Sequence, residues 1–169
     1  IFKPTNWYLN TSGVNDVTIG TDGGALEWDK IIEFETLLSD DNADVDNMGF
    51  LTTPRVVGYL KSTLRDPGSG QYLMNPGQTT LNGYNIMTST QVPSNLTKGS
   101  GTNLHAAIFG NWAELLIGQW GPLDIVVDPY TASKNAQVTI VVNGWFDIAV
   151  RHAVSFAICD EIDPTVSGV

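Results

Sequence analysis

The chain has 169 residues, 42% of them apolar and 15% charged, which suits one packed domain, or one domain with an extension, and is too apolar for disorder. Eighteen Asp and Glu stand against eight scattered Lys and Arg, for a formal charge of −10 and a pI of about 4.3, a balance that repels phosphate backbones and argues against direct nucleic-acid binding. No apolar run approaches the roughly 20 residues that span a bilayer. No secretory apolar region follows Lys3-Pro4, and a start at Ile1 rather than Met reads as a fragment or processed product.

Residues 1–25 are dense in Gly, Asn, Asp and Thr and read as an irregular lead-in. The period then changes. Trp28, Ile31, Phe34 and Leu38 recur at helical spacing with Glu27, Asp29, Lys30 and Glu33 between them, which predicts a helix over about 27–39. The acidic stretch SDDNADVDN ends it. Phe50 and Leu51 read as a short buried strand. Thr53-Pro54 then marks a helix start, with a hydroxyl cap followed by a proline whose missing N–H costs nothing at the first position. Val56, Val57, Leu60 and Leu64 supply its apolar stripe, and DPGSG at 66–70 stops it.

LNGYNIMTST (81–90) reads as a turn into a strand, and NLTKGSGTN (95–103) as a mobile loop by composition. From residue 104 the signal is β. Strands are expected at 104–109, 115–120, 124–127, 137–142, 145–150 and 155–159. Gly110, Gly121-Pro122, Asp128-Pro129 and Asn143-Gly144 punctuate them, the last as a hairpin turn. No internal repeat is evident.

Groups that could carry chemistry are few. The acidic DDNADVDN has carboxylates at alternate positions, as calcium loops do, but Val45 stands where the template wants Gly and Leu51 where it wants Glu; a solvated helix-exit loop is the better reading. His105 and His152 lie far apart with no partner pattern for a metal site. No G-x-S-x-G supports a nucleophile, and GTDGGA is a turn rather than a phosphate cradle. The single Cys159 excludes an internal disulfide framework and, lying in apolar SFAIC, reads as a buried inert thiol. Asn10-Thr11-Ser12 and Asn95-Leu96-Thr97 match the glycosylation pattern, which has meaning only on a secretory route. No catalytic residue, cofactor or metal is expected.

Five tryptophans remain: Trp7, Trp28, Trp112, Trp120 and Trp145. Such aromatics fill a core, line a sugar site or anchor a protein interface. The strands bearing Trp120 and Trp145 are too long and too sparsely accompanied by helices to bury both faces within this chain, which suggests that partner subunits cover them.

The order of WDKIIEFETLL, GFLTTPRVVGYLKSTLRDPGSGQYLM, LNGYNIMTSTQVP, IFGNWAELLIGQWGPLDIVVDPY and VTIVVNGWFDIAVRHAVSFAI resembles the C-terminal portion of the major capsid proteins of tailed bacteriophages and prophages, the Hong Kong 97-like capsid fold. The resemblance runs over about 20–162. Departures are Asn111 where the family often has Asp, Asn85 where Pro is common, and the HAVSF segment (152–156) in place of the usual ending.

The resemblance implies an α+β fold. Residues 1–24 would be a lead-in, 25–108 with 153–169 an axial domain of mixed sheet and two helices, and 109–152 the β-strands of a peripheral domain. The N-terminal arm, extended loop and spine helix of the family would be missing. It further implies a non-enzymatic head subunit that self-assembles through pentamers and hexamers into an icosahedral shell enclosing DNA. Such a subunit is made in the bacterial host cytoplasm and resides in the virion, with scaffolding or portal proteins as further partners. Neither membrane nor sequence-specific nucleic-acid contact is implied. Trp112, Trp120, Trp145, Phe146 and Arg151 are the expected subunit interface. Asn135 falls near the asparagine of the family's isopeptide cross-link, but Asn143 occupies the acid position, so no cross-link is expected. An encapsulin-like compartment shell is the second reading, and a carbohydrate-binding β domain using the tryptophans the third.

Overall fold

The computed structural model describes residues 11–165 other than 44, 46, 67 and 69. Residues 1–10 of the lead-in, with Trp7 and Asn10 of the first glycosylation pattern, Asp44 and Asp46 of the acidic loop, and Pro67 and Ser69 of the helix stop lie outside the described residues. In chain order the elements are β1 (Asn15–Asp16), α1 (Trp28–Asp40), β2 (Met48–Thr52), α2 (Pro54–Ser62), β3 (Thr80–Leu81), β4 (Tyr84–Thr88), β5 (Leu96–Lys98), β6 (Gly101–Asn111), β7 (Leu115–Asp128), β8 (Thr139–Val150) and β9 (Phe156–Ile162). They form two units. One runs up to Glu114 and resumes at His152; the other is Leu115–Arg151.

The first unit is a seven-stranded sheet ordered β1-β9-β6-β2-β4-β3, with β5 paired to β6. β2 is antiparallel to β6 and parallel to β4, so the crossover between β2 and β4 carries α2. Residues 104–111 of β6 are buried throughout, as a central strand covered on both faces must be. α1 buries Ile31, Phe34 and Leu38 at the spacing its sequence foretold. Phe34 meets Phe50 edge-on at 5.7 Å. Phe50 stacks at 4.3 Å on Phe109, its cross-strand partner, and Tyr84 closes the cluster at 5.0 Å from Phe109.

α2 starts as expected. Thr53 Oγ1 accepts the Val56 N–H, and Pro54 takes the first helical position. Val56 and Leu60 are buried, whereas Leu64 falls beyond the last turn and is exposed, bridging instead to Tyr72. The chain leaves the helix at Thr63 in an extended conformation, which ends the stripe early.

Residues 95–103 are not a mobile loop. Lys98 pairs with Gly101, and Gly99-Ser100 make a two-residue turn, with Gly99 at φ 55°. The Ser100 N–H donates to Asp22 Oδ1 at 2.8 Å, so the Gly and Ser content serves a tight turn rather than freedom. Gly110 likewise does not punctuate. It lies inside β6, where an added Cβ would stand 2.4 Å from the Ser155 carbonyl oxygen.

The second unit is a two-stranded antiparallel ribbon of β7 and β8. Here Asn143-Gly144 is not a hairpin turn. Both residues lie within β8, and neither has the positive φ of a type I′ turn. The reversal comes after Asp128, whose carboxylate accepts the Tyr130 N–H at 2.8 Å and the Thr131 N–H at 3.2 Å and also bonds the Thr131 hydroxyl. Eleven cross-strand pairs outweigh the local preference of Asn-Gly. The two strands expected at 115–120 and 124–127 are one strand, interrupted by a bulge in which Gly121, Pro122 and Leu123 oppose Gly144.

Candidate functional site

The ribbon collects three of the residues singled out by sequence, with Arg151 directly beyond its end. Side chains alternate along β8, and the register carries that alternation onto β7. One face holds Ile140, Val142, Phe146, Ile148 and Val150 opposite Val127, Ile125, Gln119, Ile117 and Leu115. Gln119 is the sole polar side chain on it. The other face holds the Trp120–Trp145 pair among Asp124, Asp128, Asp147, Asn143 and Thr139, together with the apolar Leu116, Val126, Val141 and Ala149. The two faces are therefore chemically distinct, a division that follows from the register and is hidden in the sequence by the bulge.

Both faces are open within the chain. Ile117 is 70% exposed, Ile125 60% and Ile140 63%; Trp120 and Trp145 are 60% and 67% exposed. An isolated two-stranded hairpin is marginal in water, and an apolar face of this length marks a surface that another protein element covers. Gly144 keeps the apolar face closely packed across the bulge. A Cβ there would lie 2.8 Å from Phe146 Cε2 and 2.9 Å from Leu123 Cδ2. Gly118 leaves room on the opposite face, where the Trp120 ring would lie 3.5 Å from its Cβ.

Trp112 does not join this surface. It belongs to the sheet unit, half-buried, with its indole N–H donating to the Gly49 carbonyl at 3.0 Å and its ring edge-on to Phe156 at 5.8 Å. These contacts fix its position within the sheet unit.

Two polar arrangements in the sheet unit went unread in the sequence. Glu161 is only 2% exposed, on β9. Burial alone would raise its carboxyl, but the Lys98 ammonium and the N–H groups of Ile19 (2.9 Å) and Gly20 (3.3 Å) outweigh that and hold it below the usual range. This carboxylate ties the lead-in segment and the β5–β6 hairpin to β9. Lys98 and Glu161 are 63 residues apart, and DEI at a strand end gives no local sign of burial.

His105 is 6% exposed, and its Nδ1 lies 2.7 Å from Thr53 Oγ1. The same hydroxyl accepts the Val56 N–H, so the imidazole is tied to the cap of α2. Burial first, and the Arg55 charge second, push the imidazole pKa down; Asp163 opposes them. His152 instead bonds Ser155 through Nδ1 at 2.8 Å, and no group of three or more His, Cys, Asp or Glu suited to a metal occurs among the described residues.

A mixed sheet with two helices, followed in one chain by a long two-stranded ribbon, is the Hong Kong 97-like capsid fold, here covering about half of a capsid chain. The chain belongs to the phage capsid family, whose pattern matches residues 6–160. A major capsid protein of Halomonas phage phiHAP-1 is 30% identical over 131 residues, 78% of this chain and 20% of that protein. Among solved structures, one from Gordonia phage Cozz superposes with a TM-score of 0.60 at 23% identity, over 89% of this chain and 50% of that one. An encapsulin from Synechococcus elongatus PCC 7942 gives 0.68 at 15% identity, over 96% and 58%. The chain thus spans about a fifth of its curated relative and about half of each of these solved chains.

Proposed function

We propose that the chain is the C-terminal part of a phage or prophage head subunit whose copies assemble, through pentamers and hexamers, into a closed shell in the virion. The carrying observation is the ribbon: a long sheet face whose apolar side chains, Ile117, Ile125 and Ile140 among them, are exposed. A stable contact of ordinary size buries ~1,600 Å², and symmetry repeats it over every copy. The role is structural and needs no catalytic group. In this reading the sheet unit is the axial domain and the ribbon belongs to the peripheral domain. Trp120, Trp145, Phe146 and Arg151 are interface positions, with Phe146 on the apolar face and the tryptophans on the acidic one. Scaffolding and portal proteins are the further partners of such a subunit. The acid excess suits a shell wall that must not adhere to the DNA inside.

A compartment shell of encapsulin type is the second reading, favoured by the superposition over 96% of this chain. Imaging of particles formed by the complete gene product tests both. Shells filled with DNA support the head subunit, shells filled with protein cargo support the compartment, and a product that forms neither removes the proposal.

A further inference from the structure

In the sheet unit, away from the polar arrangements described above, lies a cavity of about 400 Å³ lined by Trp28, Arg65, Gln71, Asn75, Gln78 and Thr80, among others. Its chemistry is unusual for this chain. Acidic residues outnumber basic ones by 18 to 8, yet no carboxylate lines it. The nearby Glu35 carboxylate is already engaged, accepting from Asn82 Nδ2 at 2.6 Å and from the Tyr84 hydroxyl at 3.1 Å. Arg65, itself exposed, lies over Trp28, its guanidinium carbon 3.9 Å from the centroid of that ring. No carboxylate among the described residues lies within ion-pair distance of it. The backbone holds the wall it stands on: Arg65 N–H donates to the Gln71 carbonyl at 2.7 Å, and Leu64 bridges to Tyr72.

A guanidinium held over an indole by its central carbon leaves N–H groups at its edge for a ligand. Its fork matches the paired oxygens of a carboxylate or phosphate. The carboxamides of Asn75 and Gln78 and the Thr80 hydroxyl bring further N–H and O–H donors to the same cavity. Two carboxamides, one hydroxyl and one stacked cation, with no carboxylate among the lining residues, make a donor-rich cup in an otherwise acidic molecule. We propose that this cavity binds an oxyanion, with Arg65 as the principal contact and the carboxamides completing its shell. A carboxylate side chain from another protein segment and a free phosphate are the two sources of that chemistry. This site is independent of the shell reading, because nothing in it depends on the ribbon.

The test is an NMR titration of the isotope-labelled 169-residue chain with sodium acetate, sodium phosphate and sodium chloride at matched ionic strength. The Arg65 Nε–H and the carboxamide resonances of Asn75 and Gln78 are followed. Saturable shifts at millimolar acetate or phosphate, not given by chloride, are expected. Stronger binding of acetate assigns a carboxylate source, and stronger binding of phosphate a phosphate source. Arg65→Ala should weaken the binding roughly ten-fold, since a charge-assisted pair is lost. Arg65→Lys, which keeps the charge but not the fork or the stack, should fall between. Lys134→Ala removes the same charge from the ribbon unit and should leave the affinity unchanged. Dispersed spectra of each variant verify folding. Shifts that do not saturate, that chloride reproduces, or that persist in Arg65→Ala on the carboxamides overturn the proposal.

Discussion

Trp120 and Trp145 stand directly opposite each other across β7 and β8, and they do so on the acidic face of the ribbon rather than on its apolar one. The bulge at Gly121-Pro122-Leu123 separates this pair from the Asp124–Asn143 pair that follows it. Without the register, the two tryptophans look like the natural centre of any contact. With it, the uninterrupted apolar surface is the other face, and the tryptophans form an aromatic patch ringed by Asp124 and Asp147. The two faces therefore make separable predictions in the complete protein.

Val142→Asp and Ile125→Asp each place a carboxylate on the apolar face, where covering it without a partner is costly. Both should abolish shells seen by electron microscopy, whereas Val126→Asp, on the face that already carries acids, should reduce them less. Trp145→Ala should reduce shell yield through the loss of a large aromatic contact, worth about 2 kcal/mol at an interface centre. Equal behaviour of the two faces would contradict the division, and normal shells from Trp145→Ala would remove its interface role.

Gly110→Ala isolates the close approach inside the sheet unit. The new Cβ would stand 2.4 Å from the backbone oxygen of Ser155, and neither strand can shift without losing its ladder. The expected cost is roughly 3 kcal/mol, read as a lower urea midpoint. A midpoint equal to that of the parent chain would show that β6 and β9 part more easily than their packing implies.

His105 gives the sheet unit a pH response. Its folded pKa lies below the unfolded value of 6.5, chiefly through burial, so the unfolded chain takes up a proton first as the pH falls. This contribution is complete above the unfolded pKa and is lost on descent through the window below it, before carboxylates such as Glu161 begin to titrate. The urea midpoint should therefore fall between about pH 7.5 and about pH 5.5. His105→Asn, which keeps a hydrogen-bonding group for the Thr53 hydroxyl and cannot titrate there, should flatten the fall. An unchanged slope in the variant would assign the response elsewhere.

Cys159 is fully buried, and burial pushes its thiol up to about 12. Native protein at neutral pH should leave it unmodified by a disulfide reagent over hours, with stoichiometric reaction only in denaturant. Prompt labelling of the native chain would place β9 in an open state.

Much of the sheet unit was legible in the sequence. The 3.6-residue spacing of Trp28, Ile31, Phe34 and Leu38, and the Thr53-Pro54 cap, are local signals, and local signals survive folding. Asn143-Gly144 misled because its turn preference is worth less than the pairs on either side of it, and because Gly144 is needed opposite a bulge. The glycine- and serine-rich 95–103 segment misled in the opposite sense, since composition cannot separate a mobile loop from a tight turn. Glu161 and His105 were unread as packed polar groups because their partners, Lys98 and Thr53, lie 63 and 52 residues away. The open ribbon was visible as strands too long for the helices available, but which face is apolar depends on one three-residue insertion.

The most direct test of the central claim is electron microscopy of the complete gene product, expressed with the genes that flank it. Closed particles of uniform size, with the apolar face of β7 and β8 covered by protein in their reconstruction, are the predicted result. A folded complete product that stays monomeric under those conditions, or particles in which that face remains open to solvent, would contradict the account.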